Sequence, residues 1–340
     1  MTDLASPIVA PRAGRRAHPL ARFIARRVIT GLITLLAVSV LVFVGTSIVP
    51  GDPASTLLGK DATPSAVHQL DRKLGLDRPA AQRYIDWLGD LARGDLGKSS
   101  IAVAQGSPDP SVWGQTSERL TNTVALALIT MLLLVPISLL LGVAAAIRAG
   151  RVVDQIISTT TLVMVAVPEF VIGTMLLVLL FAEANWLPPV SAVPPGANPL
   201  AHLNLLVMPV LTLLLSSLAW TTRFVRVGTI DVLEAGYVQT ARLHGLRERT
   251  VLSRYALRNA LAPTVQIFAF SFQYLFGGVI VTEVVFGYPG IGSELVNAVL
   301  NHDVTTVQSL AMLLGALYIA INILADVAVV LLVPKLRTAL

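Results

Sequence analysis

The stretch DVLEAGYVQTARLHGLRERTVLSRYALRNALAP, residues 231–263, is a long charged run that lies between two apolar segments. It predicts two short amphipathic helices on either side of Gly245, a residue that can adopt a positive φ and end a helical turn. The first helix places Tyr237, Ala241 and His244 on one side at helical spacing. A charged loop held between apolar segments indicates a chain that crosses a membrane several times.

The composition of the whole chain supports this architecture. Of its 340 residues, 54% are hydrophobic and 13% are charged, and the mean hydropathy is +0.74, which is unusual for a soluble domain. The apolar residues cluster in blocks near or above the ~20 residues that cross ~30 Å of hydrocarbon. We therefore predict an all-α polytopic membrane protein with six spans, at about 28–49, 122–147, 156–182, 205–222, 264–286 and 307–333.

The basic residues flank these apolar blocks. A net charge of +5 in a soluble protein would suggest nucleic acid as a partner, but charges at the ends of spans indicate orientation instead. The short loops after spans three and five contain no Lys or Arg, whereas the tail at 1–27 and the loop at 231–263 are basic. The positive-inside rule therefore predicts both termini in the cytoplasm, with an outer loop at about 50–119 and a short inner C-terminus at 334–340.

The sequence contains few motifs that mark a catalytic site. The chain has no cysteine, its five histidines lack metal-ligand spacing, and no serine lies in a G-x-S-x-G motif. The sequence Gly97-Lys98-Ser99 is similar to the end of a P-loop, but Ala92 stands where that motif requires its first glycine. We predict no catalytic, cofactor-binding or metal site in this chain, so any nucleotide hydrolysis must come from another chain.

The charged loop resembles that of the inner-membrane permease subunits of ABC importers. Those loops carry a Glu-Ala-Ala signature, a glycine four residues after it, and an Ile-x-Leu-Pro ending. Gln239, Thr240 and Ala241 occupy the signature positions here, and Gly245 occupies that of the glycine. YVQTARLHGL (237–246) and YALRNALAP (255–263) are similar to the YVRTARAKGL and HALRNALIP of the dipeptide and oligopeptide branch. Further phrases typical of that branch are PGDP (50–53), LGLDRP (74–79), QRYIDWL (82–88), GDLGKS (94–99) and FGYPGIG (286–292).

This resemblance implies a type I ABC importer permease domain at 28–333, whose residues 231–263 form a coupling loop. In the family that loop sits in a groove of a separate ATPase subunit. The residues implied to dock there are Tyr237, Thr240, Ala241, Arg242, His244, Gly245 and Leu246. The resemblance further implies a second homologous permease, cytoplasmic subunits that bind ATP and Mg, an extracytoplasmic substrate-binding protein, and peptide cargo crossing a bacterial inner or plasma membrane.

Several alternatives stay open from the sequence. A basic amphipathic helix between spans also lies on anionic lipid in many proteins, although the matched spacing favours docking to a partner. Related permeases that carry nickel chelates, glutathione or opines share these signatures. An ion-coupled secondary carrier is a hypothesis of another class, but no internal repeat favours it. A membrane enzyme is a third hypothesis.

Three ionisable residues lie inside the predicted spans. Inserting a charged residue into the centre of a membrane helix costs roughly 2.5 to 3.5 kcal/mol on insertion scales, so each requires an interaction partner or a water-filled cavity. Glu169 follows Pro168 near the middle of span three, and we predict that it either lines the pathway and meets the amino end of a peptide or hydrogen-bonds to a neighbouring span. Glu283 in span five and Asp326 in span six are further pathway candidates, and for each an interhelical polar pair is the favoured hypothesis.

Overall fold

Long apolar helices make up most of the protein. The computed structural model describes residues 19–48, 53–59 and 62–332, so the tail at 1–18, the turn at 50–52 and the C-terminus at 334–340 lie outside the described residues. In chain order the helices are α1 (Pro19–Ile48), α2 (Pro53–Leu58), α3 (Pro64–Leu74), α4 (Ala80–Ala92), α5 (Ser100–Ala104), α6 (Val112–Ile147), α7 (Val152–Ala166), α8 (Glu169–Leu177), α9 (Leu203–Leu233), α10 (Gly236–Leu243), α11 (Glu248–Thr250), α12 (Leu257–Phe286), α13 (Ile291–Leu300) and α14 (Val304–Leu332).

The predicted count of six crossings agrees with these helices. Within the described ranges, α1, α6, α9, α12 and α14 are each long and apolar enough to cross a membrane. Counted as one bent span, α7 and α8, with the π-helical turn at Val178–Glu183 that continues α8, make the sixth. Several of these helices extend beyond the predicted spans, as α6 begins at Val112 and α9 continues to Leu233, because hydropathy marks the part in hydrocarbon and not the polar turns that continue the helix.

The third crossing, predicted as one span at about 156–182, is divided into two helices. It breaks at Val167 and Pro168, where α7 and α8 meet at 99°. Val167 is extended, with φ −90° and ψ 122°, because the ring of a following proline excludes the helical region for the residue before it. Pro136 and Pro209, in contrast, lie inside continuous helices.

Helix α9 is the centre of the bundle. It packs against α6, α7, α8 and α12, and its buried leucines form one core with side chains of α6 and α12. Gly142 allows α6 to approach α9 closely, since a Cβ at this position would lie 2.9 Å from the carbonyl oxygen of Thr222. Helix α1 packs on the outside of this core against α14.

The segment between α1 and α6 folds onto the bundle. Helix α4 packs on α1: Tyr84 Oη lies 2.9 Å from Ser39 Oγ, and the ring centroids of Tyr84 and Phe43 are 5.2 Å apart. The serine of the P-loop-like sequence caps α5, because Ser99 Oγ accepts from the N–H of Ala102 and donates to Asp303 Oδ2 at 2.5 Å. Asp303 immediately precedes α14, so this contact attaches the segment to the last crossing.

Candidate functional site

The coupling loop is a helical elbow between two crossings. Helix α9 ends at Leu233, α10 follows at once, and Gly245 turns the chain with φ +73°, as the sequence predicted. The predicted second helix is not separate, because α11 and a π-helical turn at Val251–Ala256 continue directly into α12. Most of the predicted family ending falls at 256–266, whose side chains lie outside the described residues.

A small apolar core holds the elbow together. Val238, Ala241 and Val251 are buried against one another. The ion pair between Arg242 Nη2 and Glu248 Oε1, at 2.8 Å, joins α10 to α11. Two of the implied docking residues, Ala241 and Arg242, therefore make contacts inside the elbow.

The outward surface of the elbow carries the other implied docking residues. Tyr237, Thr240, His244 and Leu246 are exposed. Sequence reasoning missed Leu243, which is 89% exposed at the tip of α10. The available signal was an apolar residue in a charged segment, on the side of the helix opposite Val238.

An ion pair connects α7 to the helix that carries the elbow. Arg226 of α9 donates from Nε to Asp154 Oδ1 at 2.5 Å and from Nη2 to Oδ2 at 2.8 Å. The Asp154 carboxylate also accepts from the N–H of Gly150 and from Ser158 Oγ, and its side chain is only 6% exposed. We call this cluster the α7–α9 clasp. The sequence indicated Arg226 only as a topological charge, and its partner lies too far along the chain for a local pattern to reveal.

Glu169 lies at the break of the third crossing and faces α12. Its Oε1 accepts from Thr282 Oγ1 at 2.6 Å, and Ser216 of α9 is a further hydrogen-bonding neighbour. Gly278 provides the space for the carboxylate, since a Cβ at that position would overlap with it. The residue thus makes the interhelical hydrogen bond that was one of its two predicted roles, while it remains partly exposed.

The other two candidates lie elsewhere in the bundle. Glu283 is fully buried near the end of α12, where it accepts from Thr123 Oγ1 at 2.6 Å and from the N–H of Ser293 at 3.1 Å. Asp326 forms an ion pair at 2.9 Å with Arg27, joining α14 to α1. The structure therefore does not gather the three acids into one site.

Glu283 supports the glycine-rich turn at 287–290. Tyr288 donates from its hydroxyl to the carbonyl of Asn122 at 2.9 Å, and Asn122 Nδ2 donates to the carbonyl of Pro289 at 2.9 Å. Burial raises the pKa of the Tyr288 phenol, so this group stays protonated as a donor. The glycines make a tight turn against the Glu283 carboxylate. Among the described residues, no group of His, Asp and Glu side chains is placed to hold a metal ion.

The order of crossings and the elbow between α9 and α12 agree with two family models. The model of "Binding-protein-dependent transport system inner membrane component" matches residues 135–338, and that of "Binding-prot-dependent transport system membrane comp, N-term" matches residues 20–127. The chain belongs to this family. Its membership confirms the predicted permease role and type I importer fold.

Relatives match the permease over nearly its whole length. A probable peptide ABC transporter permease of Sinorhizobium fredii is 34% identical over 93% of this chain and 99% of its own. The oligopeptide transport system permease AppB of Bacillus subtilis is 30% identical over 94% of this chain and 100% of its own. The glutathione transport system permease GsiC of Pectobacterium atrosepticum is 33% identical over 90% of this chain and 96% of its own.

Proposed function

We propose that this permease and a second homologous permease form the membrane pathway of a bacterial importer for dipeptides or oligopeptides. Separate cytoplasmic subunits bind ATP and Mg²⁺ and hydrolyse the nucleotide, while this chain carries out no hydrolysis itself. An extracytoplasmic binding protein delivers the cargo. The names of the S. fredii and B. subtilis relatives support peptide cargo, and glutathione, itself a small peptide, is a second candidate because of the P. atrosepticum relative.

The observation that carries the ATP-driven mechanism is the elbow. It is continuous with α9 and α12, it is internally packed, and it presents Leu243 and Tyr237 outward. A loop of this kind moves as a unit with two crossings, so a partner that displaces the elbow also displaces the helices that line the bundle. Coupling requires that the partner contact the elbow differently in two states of the bundle.

Cysteine labelling tests the proposed orientation, because the natural chain contains no cysteine. Leu243→Cys and Leu300→Cys form a matched pair: both leucines are strongly exposed, and they lie at opposite ends of the bundle. In intact cells a membrane-impermeant maleimide should label the variant at 300 and leave the variant at 243 unlabelled until the membrane is opened. The reverse pattern would overturn the cytoplasmic assignment of the elbow.

Purification of the permease in mild detergent tests its partners. We expect a homologous permease and ATP-binding subunits to copurify, and Leu243→Cys to cross-link to an ATP-binding subunit while Leu300→Cys does not. In proteoliposomes containing the complex and its binding protein, peptide uptake should require ATP. Peptide uptake by this chain without ATP-binding subunits would instead establish an ion-coupled carrier.

A further inference from the structure

A cavity that is open on one side lies beside the break in the third crossing. It has a volume of about 330 Å³ and is lined by Met164, Val165, Val167, Ser216, Trp220 and Tyr274. Ser216 and Trp220 lie near the middle of α9, and Tyr274 lies near the middle of α12. The cavity therefore lies between the two ends of the bundle, within the length of the crossings.

An acid without a cationic partner lies beside this cavity. Glu169 neighbours Ser216 and interacts electrostatically with Tyr274, two residues of the cavity wall. Among the described residues, the acids that form ion pairs with Lys or Arg include Asp154, Asp326 and Glu294, but Glu169 does not. A carboxylate within a span is costly unless a cation or water accompanies it, and such residues mark substrate pathways.

Two aromatic residues complete the wall. The rings of Trp220 and Tyr274 pack edge to face with centroids 5.6 Å apart. An ammonium group near a carboxylate gains further stabilisation from aromatic faces of this kind. The indole ring of Trp220 lies in the wall of the cavity, while its Nε1–H is buried and has no acceptor among the described residues.

We propose that Glu169, Trp220 and Tyr274 form a subsite for the amino end of the cargo. The α-ammonium group pairs with the Glu169 carboxylate beside the aromatic rings of Trp220 and Tyr274. This inference rests on the proposed peptide cargo and adds the part of the peptide that this chain recognises. Recognition of a group that all linear peptides share allows side chains of any kind to pass.

Equilibrium dialysis with radiolabelled trialanine and N-acetyl-trialanine tests the subsite. The protein is the detergent-purified complex without its binding protein, so the binding protein does not select between the probes. Because hydrogen bonds to charged groups contribute about 1.5 to 3 kcal/mol, wild type should bind trialanine roughly 10- to 100-fold more tightly than the acetylated probe. Glu169→Gln keeps an oxygen acceptor for Thr282 and should abolish this preference.

Two adjacent glycines provide a second variant and its control. Gly278→Ala introduces a Cβ that overlaps the Glu169 carboxylate and should reduce the preference for the free ammonium group. In Gly277→Ala the new Cβ points into open space on the same helix, so this variant should bind the two probes as wild type does. A preference that survives in both Glu169→Gln and Gly278→Ala would overturn the subsite.

Uptake by the full system separates the two proposals. If wild-type complex with its binding protein imports trialanine but its permeases show no preference for the free ammonium group, the subsite is wrong and the peptide cargo stands. If the full system imports no peptide of any kind tested, including trialanine and glutathione, the cargo proposal fails and the subsite fails with it.

Discussion

Loss of the α7–α9 clasp should uncouple ATP hydrolysis from transport. Helix α9 carries both Arg226 and the elbow, whereas α7 leads to the break at Val167 and Glu169. The clasp adds an ionic connection to the packing of α9 on α7, so it helps a displacement of the elbow to reach the broken crossing. The proposed variant is Asp154→Asn, which keeps the shape of the side chain and removes its charge.

The magnitude follows from the contacts that the carboxylate makes. Asp154 accepts two hydrogen bonds from Arg226 and one each from Gly150 and Ser158. Removing one member of a fully buried ion pair costs about 3 to 5 kcal/mol, and the 27% exposure of Arg226 lowers this to roughly 2 to 3 kcal/mol. Such a loss changes the population of the closed clasp by a factor of about 30 to 150.

The assay is the number of peptides imported per ATP hydrolysed in proteoliposomes. We expect Asp154→Asn to hydrolyse ATP while importing at least several-fold fewer peptides per ATP than wild type. Ser158→Ala is the matched control, since it removes one neutral hydrogen bond from the same carboxylate and should keep the wild-type ratio. The double variant Asp154→Arg with Arg226→Asp restores an ion pair with reversed charges, so it should import more peptides per ATP than Asp154→Asn. A wild-type ratio in a correctly assembled Asp154→Asn complex would refute this role for the clasp.

Three further variants probe the elbow and the end of the bundle opposite to it. Gly245→Val places a β-branched residue at a positive φ, which costs at least about 1 to 2 kcal/mol, so uptake should fall relative to ATP hydrolysis while labelling shows normal membrane insertion. Gly290→Ala forces a Cβ against the Glu283 carboxylate, and overpacking of about 1 to 3 kcal/mol should lower the thermal stability of the purified complex, measured against Gly277→Ala. Asp303→Asn weakens the contact to Ser99, so limited proteolysis should cleave the 53–111 segment faster than in wild type, and an unchanged rate would contradict the attachment.

The elbow and the crossings were accessible to sequence reasoning because their signals are local. A positive φ at Gly245 follows from the residue type at the end of a helical turn, and crossings follow from the length of apolar runs. The sequence predicted the third crossing as one span at about 156–182 but not the 99° angle at its break. Pro136 and Pro209 also lie within crossings, and their sequence context does not distinguish them from Pro168, which breaks its helix.

By itself, the sequence determined that this chain is a helical membrane protein with a charged elbow, because composition, apolar run length and helical period depend only on neighbouring residues. Only the tertiary structure decided which polar side chains meet: Asp154 with Arg226, Ser99 with Asp303, and Glu169 with Thr282. These partners lie 72, 204 and 113 residues apart in the chain. Contacts of this kind depend on how the helices pack, and that packing is decided by the shape of the whole bundle, which no short segment of the sequence contains.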